Sequence, residues 1–186
     1  EGCIPSKALL HAAHVIGEAR AAEAWGVSFA APGIDVSKLR RWKADVVAKL
    51  TGGLGQLVQR RRIRYVRASA VFADSRTLVL TPEGGEDSRL AFDYAIIASG
   101  SQATALKGAP VDSDRLMDAA GALAFADLPA KLLVIGGGYI GLELGSVYAA
   151  FGSQVTLVEM TAHLLPGVDR DLVRVLKTAM QSRLKE

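Results

Sequence analysis

The 186-residue chain holds one cysteine, three histidines and only 6% aromatic residues. One cysteine cannot build a disulfide framework or a cysteine-rich zinc module. No apolar run reaches the roughly 18 residues of a membrane-spanning helix. No basic-then-apolar leader opens the sequence, so no secretory signal is expected in it. Charge of one sign is lacking too: 22 Lys and Arg stand against 19 Asp and Glu, for a net +3. That interleaved balance serves solubility and is not a nucleic-acid footprint. Apolar surface, by contrast, is plentiful. Half of the residues are hydrophobic and 22% are charged, which excludes a disordered tail and supports one domain or two small ones. The sequence opens at Glu1 without methionine and stops in mid-pattern at Glu186. A piece of a longer protein is expected.

Periodicity divides the chain into a helical part, a strand part and a β-α-β part. A helix is expected over 5–24, where Pro5 suits the first helical position and Leu9, Ala12, Ala13 and Ile16 recur at helical spacing. After a loop over 27–34, a second helix is expected over 36–61. Gly52, Gly53 and Gly55 weaken it, predicting a kink or a close backbone contact. Strands are expected over 63–72, 77–80 and 90–98, separated by turn residues, as an antiparallel meander. The last of these carries Tyr94-Ala-Ile-Ile-Ala and should be buried on both faces. A connector is expected over 101–115 and a short helix over 118–126. Then come a strand over 131–135, a helix over 140–151, a strand over 154–159, and a last helix from about Asp169. Trp25 and Trp42 read as packing residues.

Two motifs carry chemistry. Gly136-Gly137-Gly138-Tyr139-Ile140-Gly141 follows an apolar strand and opens a helix, the context that a dinucleotide fingerprint requires. Gly136 permits the tight turn, Gly138 lets the backbone approach a pyrophosphate, and Gly141 allows close helix-to-strand packing. The helix N-terminus offers unpaired N–H groups to the phosphates. Glu159 ends the second strand. An acid there accepts from a ribose 2′-hydroxyl and repels a 2′-phosphate, which predicts NAD over NADP. The second motif is Gly2-Cys3-Ile4-Pro5-Ser6-Lys7. Cys3 precedes a helix start and Lys7 lies four residues on, so one face can present both. Helix N-termini and neighbouring ammonium groups are surroundings that favour thiolates. A lone cysteine serving as a small buried hydrophobe fits the same residues.

The segment Gly-Cys-Ile-Pro-Ser-Lys-Ala-Leu-Leu-His at 2–11 resembles the redox-active segment of the flavin-dependent pyridine nucleotide–disulfide oxidoreductases. Gly136–Gly145, Val158-Glu159-Met160, Leu164-Leu165-Pro166-Gly167 and Asp169-Arg-Asp-Leu resemble the same family, as does Ile96–Ser101 with Ser99 where threonine is usual. The resemblance spans essentially the whole chain and is nearest to the branch that oxidises dihydrolipoyl groups. It implies an α/β fold: a partial FAD-binding Rossmann-like domain with a β-meander over 1–110, then a partial NAD-binding Rossmann domain over 111–186. FAD and NAD would be the cofactors. Cys3 would be the flavin-side sulfur of a disulfide whose other cysteine lies upstream, Lys7 would approach the flavin, and Glu143 would pair with Lys7. Ala70, Ser99, Gly100 and Ser101 would contact the flavin nucleotide, and Gly136, Gly137, Gly138, Tyr139, Ile140, Gly141 and Glu159 would bind the second nucleotide.

The same resemblance implies a dihydrolipoyl substrate on an acyltransferase component, a homodimer in the full-length form, no nucleic-acid or membrane partner, and a cytoplasmic location (the mitochondrial matrix in a eukaryote). The family's first glycine motif and its catalytic histidine–glutamate pair are missing from these residues, so the chain alone should be inactive. The alternatives are a mercuric- or glutathione-reductase-like enzyme of the same superfamily, or a nucleotide-binding module without turnover. A glutathione-reductase-like protein would carry arginines after the second strand; Glu159-Met160-Thr161 carries none. His11 and His14 are spaced for a metal, but no carboxylate completes a set and solvated histidines are expected. Arg60-Arg61-Arg62, with Arg64 and Arg67, reads as a helix C-terminal cluster complementing the dipole.

Overall fold

A computed structural model describes residues 1–104, 106, 108 and 113–181. The elements in chain order are α1 (Cys3–Ala21) with a 3₁₀ turn (Ala22–Trp25), α2 (Val36–Arg60), β1 (Ser69–Asp74), β2 (Thr77–Thr81), β3 (Ser88–Ala91), α3 (Ala119–Ala124), β4 (Lys131–Ile135), α4 (Tyr139–Phe151), β5 (Gln154–Val158) and α5 (Arg170–Gln181). The mixed α/β class is the one expected. The described residues of 1–50 and 105–186 form one compact unit, and residues 51–104 a second. In the first unit α1 packs on α4 and shares its core.

In the first unit β4 and β5 pair in parallel, Leu132 beside Val155 and Ile135 beside Val158. Parallel neighbours need a crossover, and α4 provides it. The core joins Leu9 and Ala13 of α1 to Leu144, Val147, Tyr148 and Phe151 of α4 and to Val155. Phe125 ends α3 in a left-handed conformation (φ 54°) and is fully buried, stacked against Tyr148 with centroids 4.8 Å apart. The Tyr148 hydroxyl donates to the Ala122 carbonyl at 3.0 Å. Two aspartates start helices here: Asp118 Oδ1 accepts from Gly121 N–H at 2.8 Å, and Asp35 Oδ1 accepts from Lys38 N–H at 3.0 Å. Each satisfies a donor that the first helical turn leaves free. The ammonium of Lys43 donates to the carbonyls of Leu123 and Ala124, and burial lowers its pKa, with Arg40 adding to the effect.

The second unit contains the meander in order β1-β2-β3, both pairs antiparallel. Its strands are shorter than periodicity implied. Residues 63–68 are irregular, after Arg62 in a left-handed conformation (φ 53°). β3 covers 88–91, and the stretch expected to be buried on both faces is not a strand: Tyr94 and Ile96 are each 94% exposed. A strand exists only where a neighbour takes its N–H and C=O groups, and among the described residues 94–98 has none. Hydropathy alone supplies no partner.

Other expectations also fail. Trp25 is 73% exposed and does not pack as read, whereas Trp42 is 38% exposed and has most of its surface covered. Helix α2 runs unbroken through Gly52, Gly53 and Gly55, and a Cβ at any of them would meet nothing within 4 Å. No close contact explains them. The connector expected over 101–115 lies partly outside the described residues.

Candidate functional site

The site is built on β4, α4, β5 and the start of α1. Gly136 leaves β4 with φ 112°, a conformation that only glycine takes without strain. Its N–H donates to the Val158 carbonyl at 2.8 Å, which extends the parallel ladder one step and aims the chain into the turn. Gly138 caps α4 at φ −76°, ψ 174°. A Cβ there would meet nothing within 4 Å, so neither backbone nor packing demands glycine. At Gly141 the reverse holds: a Cβ would stand 2.1 Å from the Gly136 carbonyl oxygen and 3.2 Å from Val134 Cγ1. Gly145, one turn on, would put its Cβ against Val155 and Val134. The two glycines let α4 lie close on the sheet.

Glu159 follows β5 directly. Its Oε1 accepts from Thr161 N–H at 2.7 Å and its Oε2 from Gly137 N–H at 2.6 Å. These two backbone donors, Thr161 first, hold its carboxyl below the ordinary glutamate range. The acid therefore ties the end of β5 to the glycine turn. Of the glycine-turn residues, Tyr139 is 70% exposed, Ile140 is exposed, and Gly137 is buried. A cavity of about 620 Å³ opens beside Glu159, lined among others by Leu142, Leu157, His163, Arg170 and Val173.

Cys3 is the first residue of α1, exposed and free. Its carbonyl accepts from the Ser6 hydroxyl at 3.1 Å. Lys7 Nζ donates to Glu143 Oε1 at 2.5 Å, joining the helix that starts at the cysteine to the helix that starts at the glycine turn. Ala70, Ser99, Gly100 and Ser101 lie in the second unit. Ala70 is exposed in β1 opposite Leu80; the other three are exposed and irregular, Gly100 at φ 81°. His14 lies 3.9 Å from Glu18 on an exposed face, and no group of three metal-ligating side chains forms among the described residues.

Sequence reading noted Leu164–Gly167 and Arg170 only within a family resemblance and Thr161 only as a non-arginine after the second strand, and gave none of them a role in the site. Leu165 N–H donates to the Gly137 carbonyl at 3.0 Å, and the Arg170 guanidinium holds the carbonyls of Leu164, Leu165 and Val168. Beyond that resemblance, the advance signal was the turn chemistry of Pro166-Gly167.

A strand, a glycine turn, a helix and an acid after the next strand together mark the dinucleotide-binding α/β proteins. Comparison with known proteins narrows that class. The pyridine nucleotide-disulphide oxidoreductase family matches residues 1–184, and the chain belongs to it. FAD and NAD are the cofactors of this family. The dihydrolipoyl dehydrogenase of Haemophilus influenzae is 44% identical over 99% of the chain, and that of Geobacillus stearothermophilus 39% identical over 98%. The chain spans 38% of the length of each. Among solved structures, LpdA of Mycobacterium tuberculosis superposes over 97% of the chain and 40% of its own, with a TM-score of 0.80 at 23% identity. That likeness concerns the fold. The HOCl-induced flavoprotein disulfide reductase RclA of Escherichia coli covers 98% of the chain and 38% of its own, at TM-score 0.71 and 27% identity. No helix among the described residues is long and apolar enough to cross a membrane.

Proposed function

We propose that the chain is the central part of an NAD-dependent dihydrolipoyl dehydrogenase. The observation that supports this most is the Lys7–Glu143 bond, which couples a helix opening on a cysteine to a helix opening on a nucleotide-type turn. Cys3 supplies one sulfur of the redox pair; its partner cysteine lies outside these 186 residues. A dihydrolipoyl group enters as a thiolate and leaves as a disulfide. Its two S–H bonds become one S–S bond while the protein's S–S bond becomes two thiols. FAD and NAD supply, when bound, the acceptor chemistry that carries those two electrons away from sulfur. Lys7, bonded to Glu143, holds α1 against α4.

The residues present fit a dinucleotide on α4. The open space at Gly138 leaves room for a phosphate, and the N–H groups of the first helical turn have no intrahelical acceptor. Glu159 reads a ribose hydroxyl with lone pairs beyond those that Gly137 and Thr161 occupy, and the adjoining cavity takes the adenosine end. Ala70, Ser99, Gly100 and Ser101 would serve the flavin nucleotide through their backbone. The substrate is a lipoyl group on an acyltransferase component, and the working form is a cytoplasmic homodimer.

The test is NADH formation from dihydrolipoamide by the purified full-length protein, with bound FAD measured in parallel. Cys3→Ser should abolish turnover and leave NAD⁺ binding intact. A flavin-free protein that binds NAD⁺ without turnover would favour a coenzyme-holding module instead. Glu159→Arg should shift preference toward NADP; an unchanged ratio would refute the role given to Glu159.

A further inference from the structure

We propose that Arg170 is a positioning residue for the pyridine nucleotide: its guanidinium locks the 164–168 segment onto Gly137, and that lock sets how tightly the glycine turn holds the dinucleotide. The inference rests on the nucleotide reading above and adds to it a residue outside the glycine motif.

The contacts form an unbroken series. Arg170 Nη1 donates to the Leu164 carbonyl at 3.2 Å, and Nη2 donates to the carbonyls of Leu165 and Val168 at 3.1 and 2.7 Å. Leu165 N–H donates to the Gly137 carbonyl at 3.0 Å. Leu164 occupies the space in front of Gly137, where a Cβ would come 2.5 Å from Leu164 Cδ2. Glu159 holds the Gly137 N–H from the other side, and Thr161, three residues before the segment, holds Glu159. Both polar groups of Gly137 are thereby fixed by protein. The dinucleotide is left the donors of the first helical turn, and their placement depends on where Gly137 is held.

Arginine suits this task for a physical reason. Leu165 sits at φ 50°, a left-handed conformation unfavourable for a branched side chain. The segment needs contacts to hold it there, and Pro166 offers no N–H to help. A planar guanidinium with five donors bridges several carbonyls at once, whereas a lysine ammonium is a point donor.

The experiment measures NADH affinity by fluorescence titration, amide exchange at Leu165, and Tm, in wild type, Arg170→Ala and Arg170→Lys. Arg170→Ala should weaken NADH binding about tenfold and speed Leu165 exchange at least tenfold, with Tm lowered by only a few degrees. Arg170→Lys should bind with intermediate affinity, and it serves as the test if the alanine variant does not fold. A wild-type protein that does not bind NADH overturns the nucleotide reading. A wild type that binds, with Arg170→Ala equal to it in affinity or in Leu165 exchange, overturns the Arg170 proposal and leaves that reading standing.

Discussion

Gly138 and Gly141 belong to one motif but owe their small size to different causes, and alanine at each should separate the causes. At Gly141 an added methyl meets the Gly136 carbonyl oxygen at 2.1 Å, where ordinary contacts begin at 3.4 Å. The obstacle is backbone in the turn itself, so α4 must lift or the Gly136 peptide must rotate by more than an ångström. Overpacking of this kind costs about 1–3 kcal/mol or more, against a gain of about 1 kcal/mol in helix propensity. A net loss of about 2 kcal/mol lowers Tm by about 4–8 °C in a chain of this size. At Gly138 the methyl enters open space at a φ that any residue adopts. Alanine is the poorer N-cap, by about 1 kcal/mol, and this is offset by the reduced entropy of the unfolded chain. Tm should stay within about 3 °C of wild type. The same methyl would stand where a phosphate must approach, so NADH affinity should fall at least tenfold, about 1.4 kcal/mol. Thermal melts and NADH titrations of both variants decide the matter. A Gly138→Ala protein that binds NADH like wild type refutes the phosphate cradle. A Gly141→Ala protein that melts like wild type refutes the packing account.

Three further outcomes are expected. The Glu159 carboxyl is held below its ordinary value, so its two hydrogen bonds persist above that value and are lost as pH falls through the depressed one; NMR titration of the Gly137 and Thr161 amides should give a midpoint below 4.5, and a higher one would contradict the contacts. Burial, with Asp127 adding to it, pushes the Tyr148 phenol up to about 12; its stabilising neutral form is retained below the usual tyrosine range and lost as pH rises through about 12, so an ultraviolet titration should show a step there that Tyr148→Phe removes. The Lys7–Glu143 pair is partly exposed (62% and 30%) and is worth at most about 1 kcal/mol, so Lys7→Met should shift Tm by less than about 4 °C and slow dihydrolipoamide oxidation at least tenfold; a large Tm loss with unchanged turnover would make the pair structural.

What could be read ahead of the coordinates was what local chemistry determines. The β4-α4-β5 unit is legible because an apolar run, three glycines and a helical period all lie within thirty residues, and each favours the same geometry. The Lys7–Glu143 approach was accessible by a different route, since no local rule links residues 136 positions apart; family resemblance supplied it. The failures in 63–68 and 94–98 share one cause. Apolar alternation says that a segment can be half-buried, but a strand also needs a neighbour at hydrogen-bonding distance, and that neighbour is not encoded in the segment. Trp25 fails likewise, as size alone does not supply a surface to cover it.

The Arg170 lock escaped notice because every part of it breaks a local preference. Sequence rules assign the left-handed residue of Leu-Leu-Pro-Gly to the glycine, and Gly167 does take φ 91°. Leu165 takes φ 50° as well, which no propensity indicates. Arg170 lies at the first position of α5, where a cation is unfavourable to the helix dipole and an acid such as Asp171 is the usual choice. A residue that local electrostatics disfavours, bonded to three carbonyls that local geometry does not explain, is held in place by something other than the helix. The consistent physical reason available is the turn on which that segment rests. If that is so, the variant that best suits the helix, Arg170→Glu, should raise the stability of α5 and weaken NADH binding more than alanine does. An Arg170→Glu protein that binds NADH as tightly as wild type would refute the lock, since it too lacks the three carbonyl contacts.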